Sequence, residues 1–169
     1  KKEINEMLFE LYAICMDYAK SNNKKIMIEV GTEEQNEYSS SINDIEENLK
    51  LINNFCNKFK FEKPLFFVAQ TGTKVMENKN IGSFDSAIRI NNELPSEILL
   101  PLLIKLCEKY DIMLKEHNAD YISTHGLKWH PRLRIHAANI APEFGVTEFC
   151  SLINILEQNK LNDLSKKFI

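Results

Sequence analysis

Polar groups that bind metals, move protons or hold hydroxyls stand at the ends of four short hydrophobic runs in this chain. Glu33 and Glu34 follow IMIEV (26–30), and Gln70 and Lys74 follow LFFVA (65–69). Glu116, His117, Asn118 and Asp120 end the run 112–116, and His136 and Asn139 end the run 133–138. In parallel α/β proteins ligands bind at the carboxyl ends of strands, so the recurrence points to one polar rim. Carboxylate and imidazole from separate strands suit a divalent cation such as zinc or manganese, with positions left open for substrate oxygens. Such a cation polarises a carbonyl and stabilises an enolate, the requirement of aldol cleavage or sugar epimerisation. No linear motif of the HExxH kind accompanies the set.

Each residue also has a plainer reading. His117 with Asp120 fits a loop histidine held by a helix-capping aspartate. Glu33 and Glu34 fit first-turn acids favoured by a helix dipole. Lys74 lies beyond its strand and fits a solvated amine, whereas Lys115 is better placed for a buried, Schiff-base role. His125 and His130, beside Trp129 and Pro131, read as surface or packing residues.

The elements that position these groups alternate along the chain. Residues 3–20 bring Ile4, Met7, Leu8, Leu11, Ile14, Cys15 and Tyr18 to one face at helical spacing. A buried strand over 26–30 ends at Gly31, and Ser41 or Asn43 caps a helix over 44–59 that buries Ile45, Leu49, Ile52, Phe55, Cys56 and Phe59. Pro64 opens a strand over 65–69, and Gly72 permits an unusual turn beyond it. Residues 76–93 read as a polar loop with a short helical piece. Pro95-Ser96-Glu97 opens a helix that buries Ile98, Leu99, Leu102, Leu103, Leu106, Cys107 and Tyr110. A strand over 112–116, a short helix over 123–130, a strand over 133–138 and a last helix with Val146, Phe149, Cys150, Ile153 and Leu156 inward complete the order.

A helix followed by four βα units demands a parallel sheet with right-handed crossovers. Two solutions fit: a small open-sheet α/β ligand-binding protein, or half of a (β/α)8 TIM-type barrel. The first usually carries a Gly-rich phosphate loop, and neither GxGxxG nor GxxxxGKS occurs. A complete barrel needs about 200 residues. The 169 residues therefore read as one unit supplying half a barrel.

Composition narrows the partners. A net charge of −3 offers no basic field for nucleic acid or an acidic membrane surface. No apolar run approaches the roughly 20 residues of a membrane span, and KKEINEMLFELYA has no signal-peptide pattern. Cys15, Cys56, Cys107 and Cys150 never form CxxC and sit among apolar residues. They read as buried thiols of a reduced, cytoplasmic protein.

The segments GTEEQ (31–35), VAQTGTKV (68–75), KEHNADY (115–121) and HPRLRIHAANIAPEFG (130–145) together carry a resemblance. As an ordered set they resemble the Z-type subunit of tagatose-bisphosphate aldolase, partner of a catalytic Y-type subunit in the class II, metal-dependent superfamily. Glu33, Gln70, Gly72, His117 and Asp120 are the matching positions. His136 and Asn139 stand where that subunit carries Lys-Val-Gly-Pro. The resemblance covers only the carboxyl-terminal half of that barrel, and implies a (β/α)8 fold and sugar-phosphate chemistry.

Two roles follow as expectations. In the first, a metal-dependent lyase or epimerase, Glu33, His117 and His136 hold zinc and Asp120 orients His117. Gln70, Gly72, Lys74, Asn118 and Asn139 then bind the sugar or its phosphate. In the second, the chain is a non-catalytic subunit that stabilises a true aldolase. Either way, half a barrel exposes two sheet edges and an apolar face. A complementary half, another subunit or self-association is expected to cover them.

Overall fold

The computed structural model describes residues 2–31, 42–84 and 95–168. Helix α1 (Lys2–Ser21) leads into β1 (Glu29–Gly31), α2 (Ile42–Phe59) and β2 (Phe66–Ala69). A two-stranded hairpin, β3 (Val75–Met76) and β4 (Lys79–Asn80), precedes α3 (Ser96–Tyr110) and β5 (Met113–Glu116). A one-turn helix α4 (Thr124–Leu127), β6 (Ala137–Ala138), α5 (Pro142–Gln158) and α6 (Asn162–Ser165) follow.

The main sheet runs β1-β2-β5-β6, parallel throughout. Mixed α/β architecture with a parallel sheet is thus as the alternation predicts. Strand side chains alternate between faces. Val30, Phe67, Ala69, Ile112 and Leu114 therefore point to one side, where they meet Leu49, Ile52 and Cys56 of α2 and Leu99, Leu103 and Cys107 of α3. The apolar positions of α2 and α3 recur at three and four residues, which makes each helix a stripe that only this core can bury. α3 stops at Asp111, whose left-handed backbone (φ 58°) lets its N–H and that of Ile112 close the last carbonyls.

Several expectations need correction. Phe59 on α2 and Ile98 and Leu102 on α3 are exposed rather than buried. The face of α1 that packs inward is Leu8, Phe9, Tyr12, Met16 and Ala19, and of the expected stripe Leu8 alone lies on it. Phe9 stacks on Phe55 with ring centroids 4.4 Å apart, and the Tyr12 hydroxyl donates to the Glu62 carbonyl at 2.7 Å. The large aromatic area wins the core and leaves Ile4, Met7, Leu11, Ile14 and Tyr18 outside. On α5 only Leu156 is buried, and Phe149, Leu152 and Ile155 are exposed. Cys15 and Cys150 are therefore exposed thiols, while Cys56 and Cys107 are buried as expected. Finally, the segment after β2 forms a hairpin, and the last strand keeps only Ala137–Ala138 because residues 131–134 turn, with Arg134 left-handed at φ 58°. No helix among the described residues is long and apolar enough to cross a membrane.

Candidate functional site

Register decides which polar groups meet. Ala69 pairs with Glu116 and Glu116 with Ala138. The His117 N–H donates to the Ala69 carbonyl (3.0 Å) and the Asn139 N–H to the Glu116 carbonyl (2.8 Å). Gln70, His117 and Asn139 consequently stand side by side as one rung just beyond the strand ends, each half-buried. His117, Asn118, Asp120 and Asn139, with residues 140–142, line a cleft of about 230 Å³. Asn118 takes a left-handed backbone (φ 57°), which asparagine tolerates better than most residues.

Beneath this rung lies the polar cluster that sequence reasoning undervalued. Glu116 shares the alternation of Leu114 and so turns into the helix layer, where it is fully buried. The Thr71 hydroxyl donates to one carboxylate oxygen, and His130 Nε2 meets the other. His130 Nδ1 faces the Gly126 carbonyl at 3.3 Å. Both ring nitrogens thus face oxygen acceptors, which an imidazolium satisfies with two N–H donors. Burial pulls the His130 pKa down, but the hydrogen bond to Glu116, that carboxylate's charge and two backbone carbonyls outweigh it, and the net shift is upward. The signal was legible in part: the two-residue period of a strand over 112–116 puts Glu116 on the face of Leu114. Nothing local marked His130 as its partner, fourteen residues on.

Asp120 is buried and its Oδ1 accepts from the N–H groups of Ala141 and Glu143, both at 2.9 Å. It caps α5, as the plainer reading of the sequence allowed. Glu143 in turn accepts from the Tyr121 N–H at 2.7 Å. Asp120→Ala is expected to cost about 1–2 kcal/mol, in the range of a lost helix cap. Urea unfolding should register that loss, and hydrogen exchange should speed at amides 141–145; unchanged exchange there would refute the capping role.

The hairpin anchors the rim from the other side. Asn80 donates to the carbonyls of Asn118 (3.0 Å) and Asp120 (2.9 Å), and accepts from the N–H groups of Lys74 and Gly82. The Thr73 hydroxyl donates to the His117 carbonyl. Gly72 turns the chain at φ 93°, and a Cβ there would overlap the Ser96 hydroxyl. Lys74 is exposed. Lys115 pairs with Glu29 at 2.6 Å on the sheet face opposite the helices.

The expected metal set is not assembled among the described residues. His136 precedes β6, its backbone and Nδ1 bonded to the Leu114 backbone, and it lines a cleft of about 590 Å³ with Lys25, Lys63 and Asp111 at the amino end of the sheet. His117 stands at the carboxyl end, so the strand separates the two imidazoles. Glu33 and Glu34 lie outside the described residues. Among the described residues no group of three or more His, Cys, Asp or Glu is arranged to hold a metal ion. Comparison with protein-family models, with curated proteins and with solved structures finds no match for this chain.

Proposed function

We propose that the chain is four βα units of a (β/α)8 barrel of carbohydrate metabolism, and that its rim binds a sugar or sugar phosphate in an accessory, non-catalytic role. The observation that carries this is the rung Gln70–His117–Asn139, extended by Asn118. Two primary amides and an imidazole in a half-buried row offer donors and acceptors to hydroxyls without a buried charge. The nearby carboxylates have structural duties: Glu116 holds Thr71 and His130, and Asp120 and Glu143 hold the start of α5. Strand order in chain sequence, with no reversal along the sheet, supports a barrel over a doubly wound sheet.

Titration of the labelled protein with dihydroxyacetone phosphate tests the reading. Amide shifts are expected at 70–74, 117–119 and 139–142. Asn139→Ala should weaken binding about tenfold, the scale of one hydrogen bond. Absence of shifts at millimolar ligand would overturn it.

One observation favours the catalytic reading: His117 sits half-buried at a cleft beside two amides. Stoichiometric zinc that is lost in His117→Ala, together with turnover of a sugar phosphate, would establish a metal-dependent aldolase or epimerase in place of the accessory role.

A further inference from the structure

The two lateral ends of this fold are unfinished in complementary ways. Among the described residues β1 pairs only with β2, and β6 only with β5, so each end of the sheet presents a row of unpaired backbone groups. The helices at those ends are unfinished too. On α1, Ile4, Met7, Leu11, Ile14 and Tyr18 follow the alternating three- and four-residue spacing of a helix–helix seam, and each is 55–65% exposed. On α5, Phe149, Leu152 and Ile155 are 41–56% exposed.

We infer that two copies of this chain close one eight-stranded parallel barrel, β6 of each pairing with β1 of the other and α5 of each packing on α1 of the other. The inference rests on the barrel reading above. All four strands are parallel and paired in chain order, so the free edge of β6 is of the kind that β1 accepts. α1 precedes β1 and α5 follows β6, so the same pairing lays the α5 stripe on the α1 stripe. A half-turn about the barrel axis makes this contact twice and leaves no edge. Eight strands are the number whose interior side chains fill without a channel. A second copy is the favoured occupant because one chain carries both partners of the contact. The rim is incomplete without it, since among the described residues the rung ends at Asn139 with no neighbouring strand.

The charges give the contact a signature. α1 exposes Glu3, Glu10 and Asp17, and α5 exposes Glu148 and Glu157. Among the described residues Lys20 in the last turn of α1 is the exposed base, and the seam stays net acidic, so added salt strengthens the association by screening.

Sedimentation equilibrium of the purified chain is expected to give twice its 19.6 kDa mass, with the dimer favoured as sodium chloride is raised. Leu11→Glu/Ile14→Glu should weaken association on the order of a hundredfold or more. Those positions are exposed in the single chain, so its far-UV spectrum and cooperative melting should persist. A short bis-maleimide should link Cys15 of one copy to Cys150 of the other, because these are the exposed thiols on α1 and α5. Cys56 and Cys107 are buried, and burial pushes the Cys107 thiol up to about 12.

A single-chain mass at every concentration and salt would overturn the closure, as would Cys15–Cys15 links or open-ended assemblies. Dihydroxyacetone phosphate shifts in a single-chain species would overturn closure while leaving the proposed function standing.

Discussion

His130→Ala is expected to lower the unfolding free energy by about 3–5 kcal/mol near neutral pH, the usual penalty for removing one partner of a buried ion pair. Glu116 is fully exposed to that penalty because its carboxylate has no contact with solvent and would keep only the Thr71 hydroxyl. Glu116→Gln should cost less, since an amide fills the same space without an unpaired charge. Urea unfolding of the three proteins orders these effects. The pH dependence carries a definite sign. The folded pKa of His130 is raised above its unfolded value, so the folded state holds the proton more tightly. Its stabilisation is full below about 6.5 and declines as the pH climbs through the folded value. Wild type should lose stability over that climb, and His130→Ala should lack this component. Parallel pH profiles for the two proteins would refute the charged pair.

Gly82→Ala is expected to displace the hairpin and with it the rim. A Cβ on Gly82 would come within 2.7 Å of the Gly72 carbonyl carbon and the Thr73 Cα, both backbone atoms that cannot swing aside. Overpacking of this kind costs about 1–3 kcal/mol. The damage should be local first, because Thr73 holds the His117 carbonyl and Asn80 holds those of Asn118 and Asp120. Faster proteolysis at 75–80 and loss of the dihydroxyacetone phosphate shift at His117 are the expected readouts. Gly31→Ala is the control: its nearest neighbour would be the Val68 Cβ at 3.3 Å, a contact that small adjustment relieves. Equal effects from both substitutions would refute the hairpin's role.

Much of the framework was legible because it depends on period. The helices α2 and α3 and the strands β2 and β5 follow their apolar spacing to within a residue or two. Orientation was harder. α1 carries two apolar stripes of similar length, and spacing alone cannot choose which faces in; the stack of Phe9 on Phe55, made with a helix 46 residues away in sequence, decides it. The last strand misled for a related reason. Leu133 and Ile135 are apolar enough for a strand, but His130 is fixed by Glu116, and the chain turns at Arg134 before pairing begins. His136 was thereby moved to the amino end of the sheet. At the rim, Gln70, His117 and Asn139 were readable as strand-end residues. The duty of Asp120 was ambiguous, because a carboxylate three residues past a histidine suits both a second contact to that ring and a helix cap. Tertiary placement of α5 supplies the cap, with Asp120 Oδ1 accepting from the N–H groups of Ala141 and Glu143.

The order of the strands bears on synthesis as well as on architecture. β2 pairs with β1, β5 with β2 and β6 with β5, so each new strand joins one already made. No strand has to wait for a later segment and then insert between two others. As the chain leaves the ribosome, each βα unit can dock on the last completed one, and the growing sheet always offers a single fresh edge to the segment that emerges next.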